Sequence, residues 1–133
     1  PLFIEKALKN EDIIIHGDGK QTRSMCYVSD IVDGLVRILD ERDRLDGKII
    51  NIGSSEEMSV LDCAKLIVKL CDSSSEIKHI SQNQAFGNYK EIRRRKANTQ
   101  KAYNLLNWKC KHKFTESLKK VIEYRRETYE TTS

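Results

Sequence analysis

The amino-acid sequence predicts a mixed α/β domain spanning residues 1–133, an α+β-like arrangement of mostly helices with a few short strands. Three observations carry this. The β-branched run Ile13-Ile14-Ile15 suits a buried pleated surface better than a helix. Residues 31–39, 60–71 and 118–129 instead repeat apolar residues at helical spacing. A length of 133 residues, with 38% hydrophobic and 33% charged, is enough for one core and short for two ordinary domains.

Residues 1–10 read as a short helix, with Leu2, Phe3, Ala7 and Leu8 between Glu5, Lys6 and Lys9. A strand follows at Ile13–Ile15. Gly17-Asp18-Gly19 tolerates the positive φ of a tight turn, so the chain is expected to reverse near Asp18. If residues 23–28 are extended, Arg23, Met25 and Tyr27 share one face and Ser24, Cys26 and Val28 the other. Ser29 and Asp30 then mark a helix start, with Ile31, Leu35, Ile38 and Leu39 as its apolar stripe. An arginine and a tyrosine beside a helix start suit an anionic ligand.

Residues 41–48 read as a charged loop ending in the Asp46-Gly47 turn, before a strand at Ile49–Ile52. Ser59 and Asp62 have the spacing of an N-cap with an acid three residues on. They open a helix at 60–71 with Val60, Ala64, Ile67 and Cys71 at core spacing. Ser73-Ser74-Ser75 ends it, residues 76–80 alternate as a short strand, and 81–90 read as a polar loop holding Phe86 and Tyr89. After the basic run Arg93-Arg94-Arg95-Lys96, Asn98 caps a helix at 99–106 over Trp108. Thr115 caps the last helix, which buries Leu118, Val121, Ile122, the Arg125 stem and Tyr129. No internal repeat is apparent.

Apolar runs of about three residues are far short of the roughly 20 that span a bilayer, so no membrane partner is expected. The four cysteines are widely spaced. Cys63 and Cys71 fall about 12 Å apart on one helix by its rise per residue, too far for a bridge, so reduced thiols in a cytoplasmic protein are expected. Cys110-Lys111-His112 suggests a metal corner, but no second ligand pair has zinc-site spacing, and no metal is expected. His16, His79 and His112 show no partner constellation in the sequence.

The string from Gly17 to Asp30, Gly-Asp-Gly-Lys-Gln-Thr-Arg-Ser-Met-Cys-Tyr-Val-Ser-Asp, resembles a segment of the extended short-chain dehydrogenases/reductases that act on nucleotide sugars. These are the epimerases, 4,6-dehydratases and UDP-glucuronate decarboxylases. Ile49-Ile50-Asn51-Ile52-Gly53, Arg93-Arg94-Arg95-Lys96 and Ala102-Tyr103-Asn104-Leu105-Leu106-Asn107-Trp108 resemble the same family in the same order. The resemblance implies the C-terminal, substrate-binding portion of an extended Rossmann-type reductase. Its partners would be a nucleotide-diphosphate sugar and an N-terminal cofactor-binding half that these residues do not include. The whole enzyme would use NAD and a 4-keto sugar intermediate. In that family the Asn-Ile-Gly strand joins the cofactor-domain sheet, so an unpaired edge predicts pairing with another copy or a marginal fold.

The residues themselves lack the redox machinery. The one Gly-x-Gly, Gly17 to Gly19, lies between strand-like runs and has Thr22 where a dinucleotide turn needs a third glycine. Four places after Tyr27, Tyr89, Tyr103, Tyr124 and Tyr129 stand Ile31, Arg93, Asn107, Thr128 and Ser133, so no Tyr-x-x-x-Lys pair exists. The isolated chain is therefore expected to bind no NAD and to be inactive, with no catalytic residue.

Arginine's planar fork pairs two phosphate oxygens at once. The resemblance implies that Arg23 contacts the nucleotide diphosphate, and that Arg95 binds the diphosphate or a sugar carboxylate. Arg95-Lys96 matches the Arg-Lys pair of the decarboxylases, although Ala97-Asn98 replaces their Pro-Asp or Pro-Ser. The Arg-Pro-Gly-Asp stretch of the other branches has no counterpart at Asn88-Tyr89-Lys90-Glu91. The resemblance implies that Tyr27 lines the substrate pocket or supports the turn, with core packing as the alternative; Tyr89 is expected at the substrate, covering the base with Phe86, and Asp30, Gly17 and Gly19 are expected to be structural. The competing reading is a non-enzymatic module whose basic run meets nucleic acid or an acidic partner. The lack of aromatics interleaved with those basic residues argues against base stacking.

Overall fold

We describe a computed structural model of the chain, covering residues 1–81 and 91–130. In order it contains α1 (Leu2–Leu8), β1 (Ile13–His16), β2 (Thr22–Arg23), α2 (Val28–Asp40) and α3 (Arg42–Leu45). Then come β3 (Met58–Ser59), α4 (Val60–Cys71), β4 (Ile77–Ile80), β5 (Arg94–Arg95), α5 (Gln100–Leu106) and α6 (Phe114–Glu130). The chain divides into two compact units, one of residues 1–23, 58–94 and 118–133, the other of residues 24–57 and 95–117.

In the first unit β1 pairs in parallel with β4, Ile13 opposite Ile77 and His16 opposite Ile80. Alternation along β1 buries Ile13 and Ile15 completely and turns Ile14 outward. The unit's other buried apolar residues are Ile4 and Ala7 of α1, Cys63, Ala64, Ile67 and Cys71 of α4, and Leu118 and Ile122 of α6, and α1 and α4 both pack against β1. The Ser59 hydroxyl accepts the Asp62 N–H at 3.0 Å, the N-cap that the spacing predicts, and donates to the Asp62 carboxylate at 2.6 Å. At the other end Asp72 takes the left-handed conformation and stops the helix.

The expected reversal at Asp18 occurs, with Gly17 and Gly19 at φ 76° and 70°. A side chain at Gly19 would also meet Leu61 Cβ at 3.0 Å. The strands it joins are not a hairpin, however. β2 pairs antiparallel with β3, Thr22 opposite Ser59, in a separate sheet of order β3–β2–β5. The pattern of the chain carried the first strand and the turn, but the second strand covers only Thr22–Arg23 instead of 23–28, and the pairing partners lie tens of residues away.

The second unit is built around Trp108, 1% exposed, with Leu45, Ala102 and Leu106. Cys26, Ile38, Ile50, Ile52, Leu105 and Cys110 pack against this group. Helix α2 begins at Val28, with Tyr27 rather than Ser29 at its cap, and residues 24–27 are not strand. Its buried positions are Asp30 and Gly34, whereas Leu35 and Leu39 of the expected stripe are exposed. Gly34 explains the choice of face: a Cβ there would stand 2.9 Å from Ile52 Cγ2 and 3.1 Å from Trp108 Nε1. The helix therefore meets the core where its side chains are smallest.

Three further expectations are corrected. The loop at 41–48 contains the helical turn α3. Residues 49–52 form no strand: Ile49 is 82% exposed and its carbonyl accepts Lys101 Nζ at 3.0 Å instead of a ladder bond. Helix α6 starts at Phe114, not after Thr115, because the Glu56 carboxylate accepts the Phe114 N–H at 2.9 Å; Val121 is exposed. The Tyr129 side chain lies outside what is described.

Candidate functional site

Arg23 ends β2, where the ladder fixes its backbone. Its Nη1 donates to the carbonyls of Thr22 at 2.8 Å and Ile92 at 2.9 Å. Nη2 donates to the Glu91 carboxylate in a salt bridge whose partners are both mostly shielded from solvent. The guanidinium is thus oriented by two fixed carbonyls and turns its remaining edge to the Glu91 carboxylate. Nearby in sequence, Arg93 Nη1 bonds both oxygens of Asp18, at 2.7 and 2.8 Å. The Lys20 N–H and then Arg93 hold the Asp18 carboxyl below its ordinary range. Both acidic partners, Asp18 and Glu91, escaped sequence reasoning. Glu91 lies 68 residues from Arg23, and no local pattern marks it.

Arg95 belongs to the other unit, at the end of β5, and is exposed. Beside it Lys96 pairs with Glu57 at 3.5 Å, and Asn98 Oδ1 accepts the Gln100 N–H at 3.0 Å; the cap position of α5 is Thr99 rather than the expected Asn98, and the helix starts at Gln100. Tyr27, also in this unit, sets its ring 4.9 Å from that of His112, tilted by 52°. Tyr89 and Phe86 lie outside the described residues. An open cleft of about 760 Å³ is lined by Lys48, Ile49, Asn51, Asn98, Gln100, Lys101, Asn104 and Leu105, and by none of the expected substrate residues.

Asp30 is 3% exposed and its carboxylate is fully engaged. Oδ2 accepts the N–H groups of Lys111 at 3.1 Å and His112 at 3.0 Å and the Cys110 thiol at 3.1 Å; Oδ1 pairs with His112 Nδ1 at 2.9 Å. Its backbone carbonyl accepts the Trp108 indole N–H at 3.0 Å. Asp30 therefore ties the segment 108–112 to the start of α2, besides standing in the first turn of that helix. Burial opposes its ionisation, but the bonds from the His112 N–H, the Cys110 thiol, the His112 ring and the Lys111 N–H outweigh it, and the carboxyl falls to about 2. Burial and then the bond to Asp30 push the Cys110 thiol up to about 12, and burial raises Cys26 as well. His112, which showed no partner in the sequence, is held on Asp30, and His79 sets its Nδ1 2.9 Å from the Gly17 carbonyl.

Residues 1–121 match the family described as GDP-mannose 4,6 dehydratase. The chain is 37% identical, over 96% of its length, to UDP-N-acetyl-alpha-D-glucosaminuronate decarboxylase of Bacillus cytotoxicus, and covers 39% of that protein. It is 36% identical, again over 96% of its length, to UDP-glucuronic acid decarboxylase 1 of Xenopus tropicalis, covering 28% of that protein. Among solved structures it resembles UDP-glucuronic acid 4-epimerase from Bacillus cereus, in complex with UDP-glucuronic acid and NAD. The TM-score is 0.84 at 27% identity, covering 96% of this chain and 39% of that one. The chain thus spans well under half the length of these relatives. Among the described residues no helix is long and apolar enough to cross a membrane.

Proposed function

The chain belongs to the GDP-mannose 4,6 dehydratase family, among the extended short-chain dehydrogenases/reductases of nucleotide sugars, and on that premise we propose that it is the nucleotide-sugar-binding portion of an NAD-dependent enzyme. The whole protein would be an epimerase, 4,6-dehydratase or decarboxylase, an isomerase or lyase of carbohydrate metabolism working through a 4-keto sugar. The decarboxylase branch is favoured by the two curated relatives above, both named as decarboxylases of UDP-linked uronic acids. Arg95-Lys96 supports the same branch. Four free thiols favour the cytoplasm.

One observation carries the reading: Arg23, held by two backbone carbonyls, already faces an anion. A diphosphate would displace Glu91 and take the same charge-assisted bonds from Arg23. NAD itself is not fitted by these residues, because the one Gly-x-Gly turn joins β1 to β2 instead of opening a helix. The contribution of this chain is to bind and orient substrate, and no redox step is assigned to it.

The test is the thermal stability of the chain titrated with UDP-glucuronic acid, UDP-glucose, dTDP-glucose and GDP-mannose. A ligand that binds only the folded chain raises stability by about 4 kcal/mol at a thousand times its Kd. A saturable rise with one nucleotide class, absent in Arg23→Ala, supports the proposal. An equal rise in the variant, or none in either protein, removes it.

A further inference from the structure

The cluster around Asp30 has a feature that substrate binding does not use. Cys26 Sγ lies 3.6 Å from Cys110 Sγ, although the two are 84 residues apart in the chain. With a carboxylate oxygen of Asp30 they form a set of three donor atoms, all within 4.8 Å of one another. Each atom is placed by something firm: Asp30 by the first turn of α2, Cys110 by the loop that Trp108 and the Lys111 and His112 amides pin to Asp30, and Cys26 by the segment leading into α2.

We infer that Cys26, Cys110 and Asp30 form a site for one thiophilic divalent cation, zinc being the type, with water as the fourth ligand. Zinc takes tetrahedral sulfur and oxygen ligands at about 2.3 and 2.1 Å, which sets ligand atoms about 3.8 Å apart for two sulfurs and about 3.6 Å apart for sulfur and oxygen. The observed sulfur separation of 3.6 Å meets the first requirement. The Cys110–Asp30 distance of 3.1 Å must open by about half an ångström to meet the second. Two thiolates and one carboxylate select zinc or a similarly soft ion over magnesium or calcium.

The surroundings also suit an ion. In the metal-free chain the Cys26 thiol donates to Cys110 Sγ and the Cys110 thiol donates to Asp30 Oδ2. A cation replaces those two protons: Zn2+ binds two thiols and one carboxylate, two protons leave, and the site carries one net negative charge. The Asp30 carboxylate keeps its amide bonds from Lys111 and His112 and its His112 ring partner, the outer shell that orients a ligating oxygen. Both cysteines are only half-buried, so an ion can reach them. The sequence reading expected no metal because Cys110 and His112 lacked a second ligand pair at zinc spacing. The fold supplies Cys26 and Asp30 from 80 or more positions away.

The experiment titrates the reduced 133-residue chain with Zn2+ against a chromophoric chelator, and with Co2+ watched by absorption. The inference expects one equivalent bound, a thiolate-to-cobalt charge-transfer band, and release of two protons per ion. Cys26→Ser and Cys110→Ser should each weaken zinc binding at least tenfold, and Cys63→Ser should leave it unchanged. If either variant fails to fold, the cobalt band of the parent chain still decides. Lack of saturable uptake, or equal uptake in the Cys26 and Cys110 variants, overturns the inference. So does a reduced protein that ignores zinc while oxidised glutathione converts Cys26 and Cys110 to a disulfide with release of two reduced glutathiones, which would make the pair a redox couple.

Discussion

Asp30 and His112 are joined twice, by the His112 N–H to Oδ2 at 3.0 Å and by its ring Nδ1 to Oδ1 at 2.9 Å. One side chain in the first turn of α2 thereby fixes both the backbone and the ring of a residue 82 positions later. The Asp30 carboxyl titrates at about 2 in the folded chain, below its ordinary value of 3.8. The stability this contributes is fully present above the unfolded value and is lost as pH falls toward 2. With a chelator present, we expect wild type to exceed Asp30→Asn by on the order of 2 kcal/mol at pH 6 and by almost nothing near pH 2. Urea unfolding across that range measures it, and a pH-independent difference would contradict the assignment.

Gly34 lets α2 approach Ile52 and Trp108. Gly34→Ala places a methyl 2.9 Å from Ile52 Cγ2 and 3.1 Å from the indole nitrogen that donates to Asp30. Helix propensity alone would make alanine stabilising by about 1 kcal/mol, but overpacking costs about 1–3 kcal/mol. We expect net destabilisation by thermal unfolding, with a change in Trp108 emission as the indole bond is disturbed.

Glu91 occupies the anion-facing edge of Arg23. If that edge is where a diphosphate binds, the carboxylate competes with it. Glu91→Gln should then tighten binding of UDP-glucuronic acid several-fold, whereas removing a carboxylate that is irrelevant to the site would leave affinity unchanged. Isothermal titration separates the two.

Features set by neighbours in sequence were the ones legible without the structure. The Ser59–Asp62 cap and the glycine turn at 17–19 each act within three residues, and each appears, whereas the cap expected at Asn98 falls on Thr99. The four ordered stretches that resemble the nucleotide-sugar enzymes led to the family. Pairing over distance was not legible. β1 finds β4 rather than β2, Arg23 finds Glu91, and Asp30 finds Cys110 and His112. Helix α2 shows why periodicity alone misleads, since Val28, Val32, Leu35, Val36 and Leu39 are all exposed while a glycine and an aspartate face inward. Those five residues form one stripe at i, i+4, i+7, i+8 and i+11, and the face that Gly34 brings close to Trp108 and Ile52 is a different one.

The Cys110 thiol, pushed up to about 12, should be inert in the metal-free chain. Alkylation at pH 8 followed by mass spectrometry should leave it unmodified, and Asp30→Asn, which removes the negative charge beside it, should speed its modification.

The most direct test of the central claim is the affinity of wild type and Arg23→Ala for UDP-glucuronic acid by isothermal titration. A hydrogen bond to a charged group contributes about 1.5–3 kcal/mol, so the variant should bind at least tenfold more weakly while unfolding at a similar temperature. Equal affinity in the two proteins would contradict the account and show that Arg23 serves only to hold Glu91.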